Sequence, residues 1–138
     1  MSMHKELVSI IMPMYNSAKY VGEAITSVIN QTYDNWELLV IDDASKDNSC
    51  DIVREFINQD SRIHLLFNDN HTGRPSSPRN MGVKHARGRF IAFLDSDDMW
   101  FPEKLQQQIP LFEDKNVAIA YSNYEKMDED LVEIEKQL

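Results

Sequence analysis

Three short polar clusters hold the residue types that could do chemistry: Pro13-Met14-Tyr15-Asn16-Ser17, Asp42-Asp43-Ala44-Ser45-Lys46-Asp47 and Asp95-Ser96-Asp97-Asp98. In the third, the D-x-D spacing lets two carboxylates turn into one site if a strand has just ended. Hard oxygen ligands of this kind suit Mg²⁺ or Mn²⁺, with substrate phosphates completing the shell. Asp95 and Asp97 are therefore the candidate metal ligands, and Asp98 lies just outside the pair. Asp and Ser also favour turns and caps, so the spacing alone does not decide. In the second cluster, Asp42 or Asp43 can accept the N3–H of a uracil ring, a donor that cytosine lacks there. Asp47 suits the cap of a following helix, a role that leaves its two acidic neighbours unexplained. Tyr15 can stack on a flat base. Arg79 and Arg74 are candidates for diphosphate contact, Arg79 because the first turn of a predicted helix also presents N–H groups to anions. His71, without a histidine partner, reads as a surface residue.

The elements that must position these clusters follow from hydrophobic spacing. Leu7–Met12 is an apolar, β-branched run of the kind buried on both faces of a parallel sheet, and Pro13 is expected to end it. Trp36–Ile41, Ile63–Phe67, Phe90–Leu94 and Val117–Tyr121 read as further strands. Helices are expected over Tyr20–Gln31, Asp47–Asn58, Pro78–Ala86 and Pro102–Phe112, with Pro110 ending or kinking the last. Gly88 reads as the stop after the third helix, and Asn68–Ser77 as a loop. The acidic tail from Glu125, with Asp128, Glu129 and Asp130, has no clear pattern and reads as a solvated surface. Strands alternating with helices predict an α/β fold, a mostly parallel sheet with helices on both faces. In such a sheet the clusters that follow three strands share one edge, where ligands bind near a topological switch point.

The 138 residues carry a formal charge of −9, which argues against a nucleic-acid partner, since phosphate-backbone contacts need a basic surface. The same charge means that a bound diphosphate needs local positive charge, which a divalent cation supplies. Cys50 is the only cysteine, excluding intramolecular disulfides and all-cysteine metal sites; it reads as a small apolar filler on a helix. Neither a G-x-G-x-x-G nor a P-loop pattern occurs among the four glycines, against dinucleotide and ATP-loop readings. The apolar runs are far shorter than the roughly 20 residues a bilayer crossing needs. The expected location is cytoplasmic, with peripheral attachment to the inner face of a membrane compatible with it.

The stretches VSIIMPMYN, SVINQTYDNWELLVIDDASKD and PRNMGVKHARGRFIAFLDSDD, in this order and spacing, resemble family 2 of the inverting glycosyltransferases. The resemblance runs from Leu7 to Tyr124. It implies a Rossmann-like GT-A fold, with residues 1–138 forming one nucleotide-sugar-binding domain that stops before the acceptor half. It implies nucleotide contacts by Pro13, Tyr15, Asn16, Asp42, Asp43, Arg79 and Asp95, and metal ligation by Asp97 and Asp95. Pro78 departs from the small residue usual before the Arg-Asn pair, while keeping Arg79 in place. The implied reaction is transfer of a sugar from a nucleoside diphosphate, UDP above all, to a saccharide or lipid-linked saccharide acceptor with inversion. Its catalytic base is expected beyond Leu138, so this chain is expected to bind the donor only. Two rivals are a sugar nucleotidyltransferase, which needs a basic Gly-rich loop that Met12–Ser17 lacks, and a non-catalytic nucleotide-sugar-binding or interaction domain.

Overall fold

A computed structural model describes residues 6–68, 76–114, 125–127 and 133–136. The expected strand Val117–Tyr121, together with His71, Arg74 and Asp128 to Asp130, lies outside the described residues.

Four parallel strands form the sheet: β1 (Val8–Met14), β2 (Trp36–Asp42), β3 (Ile63–Phe67) and β4 (Phe90–Phe93), in the spatial order β3-β2-β1-β4. The inner strands β1 and β2 are buried nearly throughout, which explains why their sequences are continuous apolar runs rather than alternating ones. On one face Ile10, Met12, Leu38 and Val40 pack against α1 (Val21–Ile29) and α2 (Ser49–Gln59). Val21, Ala24, Ile25 and Val28 form the buried stripe of α1, at the three- and four-residue spacing of one helix face. On the other face Ile11, Leu39 and Ile41 meet Met81 and Ala86 from α3 (Ser76–His85) and its end. Helices thus cover both faces, as expected.

The proline in β1 does not end that strand. Ile11 C=O accepts from Leu94 N–H (3.0 Å), so residue 11 faces β4, whereas Met14 C=O accepts from Asp43 N–H (2.9 Å) and faces the β2 side. Pro13, two residues after Ile11, faces the β4 side, where β4 has already ended at Phe93 opposite Ile11. Its missing N–H therefore deprives no ladder partner, and β1 runs on to Met14.

Gly88 differs from expectation in what it does. The third helix ends at His85, and Gly88 is not its stop. A Cβ on Gly88 would lie 2.6 Å from Ser9 N and 2.8 Å from Leu7 O, so the chain crosses β1 too closely for any side chain. Gly82 brings α3 onto the sheet in the same way, since a Cβ there would meet Ile11 Cγ2 at 2.5 Å. This helix begins at Ser76, two residues before Pro78, which occupies the first turn where a missing N–H costs nothing. The last helix, α4 (Lys104–Gln108), passes into a 3₁₀ turn over Ile109–Glu113 that contains Pro110. The tail left unassigned in the sequence pairs antiparallel as β5 (Glu125–Met127) and β6 (Glu133–Lys136). Among the described residues no helix is long and apolar enough to cross a membrane.

Candidate functional site

With β1 flanked by β2 on one side and β4 on the other, the strand order reverses between β1 and β4, and the carboxyl ends of the strands open a crevice there. The three clusters occupy this edge. The turn after β1 is bolted to the turn after β2: Asn16 N–H donates to Ser45 Oγ (2.8 Å), Lys46 N–H to Asn16 Oδ1 (2.8 Å), and Ala18 N–H to Asp47 Oδ2 (3.2 Å). Asn16 and Ala44 take positive φ, 48° and 64°. This conformation is ordinary for Asn but costs Ala about 1 kcal/mol or more. Asn16, expected to contact the nucleotide, spends its side-chain oxygen on this inter-loop bond. Tyr15 stands half exposed beside it, and Pro13 is partly buried below.

The paired aspartates after β2 diverge. Asp42 is buried and Oδ2 accepts from Ser45 N–H (3.2 Å), while its other oxygen, Oδ1, has no hydrogen-bond partner. It lies beside Cys50, whose thiol is pushed up to about 11 by burial and by the Asp42 carboxylate. Cys50 is half-buried against the core, the filler role read from the sequence, and is protonated at neutral pH. Asp43 turns the other way, toward α3. Its Oδ1 accepts from Asn68 Nδ2 (2.8 Å), which also reaches Ser77 Oγ (3.2 Å), and Asn68 N–H binds the Asp42 carbonyl (2.9 Å). Asn68 is a site residue the sequence reading missed. It follows the end of β3 as Asp43 follows β2, and that parallel was the available signal.

Asp47 is the anchor of α2, though not by the usual cap bond from the residue before the helix. It accepts from the Ser49 hydroxyl and from Ser49 N–H (3.0 Å), and these bonds, the hydroxyl's foremost, outweigh desolvation and hold its carboxyl below the ordinary range.

After β4, Asp95, Asp97 and Asp98 bring one carboxylate oxygen each to within 4.8 Å of one another. Asp98, outside the D-x-D pair, is thus part of the cluster. Burial and then the Asp97 and Asp95 charges push its carboxyl up. Such crowding of carboxylates is what a hard divalent cation relieves, so the donor set fits Mg²⁺ or Mn²⁺. Arg79, in the first turn of α3, pairs with Asp95 (Nη2 to Oδ1, 3.1 Å), while its buried Nε has no hydrogen-bond partner. The first turn of α3 therefore touches both sides of the crevice, Asp43 through Asn68 and Ser77, and the acidic cluster through Arg79.

The comparisons with known proteins bear on this geometry. The sequence profile described as Glycosyl transferase family 2 matches residues 9–138. The chain belongs to that family. Over 119 residues, 86% of this family 2 chain and 46% of the relative, it is 52% identical to the UDP-Glc:alpha-D-GlcNAc-diphosphoundecaprenol beta-1,3-glucosyltransferase WfgD of Escherichia coli. Among solved structures it resembles S. aureus TarS 1-349 in complex with UDP, with a TM-score of 0.72 and 33% identity over 77% of this chain and 32% of that one. It also resembles the mannosyltransferase PcManGT from Pyrobaculum calidifontis in complex with GDP-Man and Mn²⁺, with a TM-score of 0.64 and 27% identity over 72% of this chain and 30% of that one. The α/β fold is thus that of GT-A glycosyltransferases. The chain spans about half the length of the curated relatives it matches.

Proposed function

We propose that this chain is the donor-binding part of an inverting glycosyltransferase, holding a nucleoside diphosphate sugar, UDP-linked above all, with a divalent cation. The observation that carries the reading is the acidic cluster Asp95, Asp97 and Asp98 at the switch-point crevice, with the first turn of α3 joining it to Asp43. Asp43 offers a fixed acceptor to a base N–H, and Tyr15 an exposed ring to the base plane. Guanine also carries N–H donors, and the PcManGT complex holds GDP-Man; the UDP complex of TarS, the more similar of the two, supports uracil. Asp97, Asp98 and Asp95 would hold Mg²⁺ or Mn²⁺, which supplies charge that offsets the diphosphate as it departs. Arg79 and the N–H groups of its helix turn orient the phosphates. Asp42, facing α2, supports the turn that presents Asp43. We read residues 1–138 as one domain, and the base that takes the acceptor's proton as lying outside it.

For the whole protein we read a saccharide or lipid-linked saccharide acceptor. Support comes from WfgD, whose name specifies a diphosphoundecaprenol-linked sugar. Calorimetry tests the donor reading: UDP binds in Mn²⁺ and binds poorly in EDTA. Equal affinity in both overturns the metal role. Incubation with UDP-sugars and acceptors gives no glycoside at ordinary enzymatic turnover; product at such rates overturns the donor-only assignment.

A further inference from the structure

Ser17 and Ser96 meet across the crevice, Oγ to Oγ at 2.6 Å, and both residues are more than nine-tenths buried. The residues are 79 apart in sequence and belong to the turns after β1 and β4. Ser96 is the middle residue of Asp95-Ser96-Asp97, so the bond grips that turn between its two carboxylates. Ser17 is tied in four further directions. Its C=O accepts from Tyr20 and Val21 N–H (2.9 and 2.8 Å) at the start of α1, and its N–H donates to Ser49 Oγ (2.8 Å) at the start of α2. Its hydroxyl donates to the Tyr15 carbonyl (3.2 Å). A hydroxyl has one proton to give. The order that makes both contacts with one proton each is Ser96 to Ser17 to Tyr15.

We propose that this buried pair is a strut, making Ser96 and Ser17 positioning residues that fix the acidic turn relative to the Tyr15 turn. The inference rests on the donor-binding reading above and deepens it. A nucleoside diphosphate has its base at one turn and its phosphates at the other, so metal and base contacts reinforce each other only if the two turns keep their spacing. Two hydroxyls buried between tightly packed loops hold that spacing in the free protein, before ligand arrives. Neither side chain needs to touch the ligand.

The measurement is the ratio of UDP affinities in Mn²⁺ and in EDTA, by calorimetry on the full chain, with melting temperatures alongside. Ser96→Ala removes the strut's donor and leaves Ser17 bonded to Tyr15. Its expected effect is a fall of about two- to tenfold in the Mn²⁺ enhancement, the range of one lost hydrogen bond, with affinity in EDTA unchanged. Ser17→Ala lowers the same ratio, and it carries the test if Ser96→Ala melts markedly lower. The double variant falls no further than Ser17→Ala, because the two hydroxyls act as one unit. Enhancement preserved in both single variants overturns the strut, as does a parallel weakening in Mn²⁺ and EDTA. A wild-type chain indifferent to Mn²⁺ overturns the metal reading itself and the strut's role with it.

Discussion

Replacing Asp43 by Asn probes base recognition with almost no change of shape. In the folded chain Asp43 Oδ1 accepts from Asn68 Nδ2 at 2.8 Å. That donor can be met only by an oxygen, so the new amide turns its oxygen to Asn68. Its NH₂ then stands where the second carboxylate oxygen was. A base N–H arriving there meets a donor in place of an anion. The hydrogen bond lost is one to a charged group, about 1–3 kcal/mol, or a fall in affinity of about five- to 150-fold. The Asn68 bond survives in neutral form. Titrations of UDP and of pyrophosphate, both in Mn²⁺, decide the matter. UDP affinity falls and pyrophosphate affinity holds if Asp43 reads the base. Equal losses for both, or a loss of stability with UDP affinity intact, would show that Asp43 only braces the turn through Asn68.

Asp97→Ala abolishes the Mn²⁺ enhancement of UDP binding, and Asp98→Ala lowers it as well because its carboxylate shares the cluster; titration of each variant with Mn²⁺ checks both. Glu37→Gln costs about 1–3 kcal/mol at neutral pH, because donors from Ser9 and Arg87 lose a charged acceptor. Burial pushes the Glu37 carboxyl up, but hydrogen bonds from Ser9 and Arg87 outweigh it and hold the group below the ordinary 4.5. Its stabilisation is therefore complete above that value and is lost as pH falls through the depressed folded value, so the Gln variant shows a flatter melting-temperature profile below about pH 4.5. Gly82→Ala gains about 1 kcal/mol of helix propensity but drives a methyl against Ile11. Overpacking of about 1–3 kcal/mol outweighs that gain, and thermal melting shows a net loss.

The inner strands β1 and β2 were legible because each is an apolar run with almost no alternation, which strands covered on both faces demand, and β3 and β4 as shorter, mainly apolar segments between helices. The placement of three clusters on one edge followed from that. What the sequence did not disclose depends on side-chain direction at strand ends. Asp42 and Asp43 are adjacent and chemically identical, yet one faces α2 and the other Asn68, a consequence of the alternation that β2 keeps up to its last residue. Asn68 was hidden for a related reason, since a lone polar residue after a strand looks like the start of a turn. The strut between Ser17 and Ser96 joins residues whose type also suits solvated turns, and only the crossing of the two loops buries them. Pro13 was misleading because the cost of a missing N–H depends on which neighbour that bond would face.

The two ends of the sheet use carboxylates in opposite ways. At the amino-terminal end, Glu37 enters β2 within an otherwise apolar run and is matched on arrival. Ser9 Oγ donates to it (2.6 Å), as do Arg87 N–H (2.8 Å) and Nε (3.0 Å), and Ser9 in turn accepts from Gly88 N–H (2.7 Å). A buried charge supplied with donors in this way adds cohesion and leaves little over for a ligand. At the carboxyl end, Asp95, Asp97 and Asp98 crowd together, and the Asp98 carboxyl is pushed up by burial and by its neighbours, the opposite of what happens to Glu37. Arg79 is bonded to Asp95 through Nη2 while its buried Nε lacks a partner. Folding alone therefore satisfies one end and leaves the carboxylates of the other open to a cation. A divalent cation that binds this cluster in the folded chain should raise the melting temperature by mass action. The sheet's direction explains the division. The carboxyl ends of parallel strands open into the loops that can differ from strand to strand, whereas the amino-terminal end must receive the returning helices and is closed by packing.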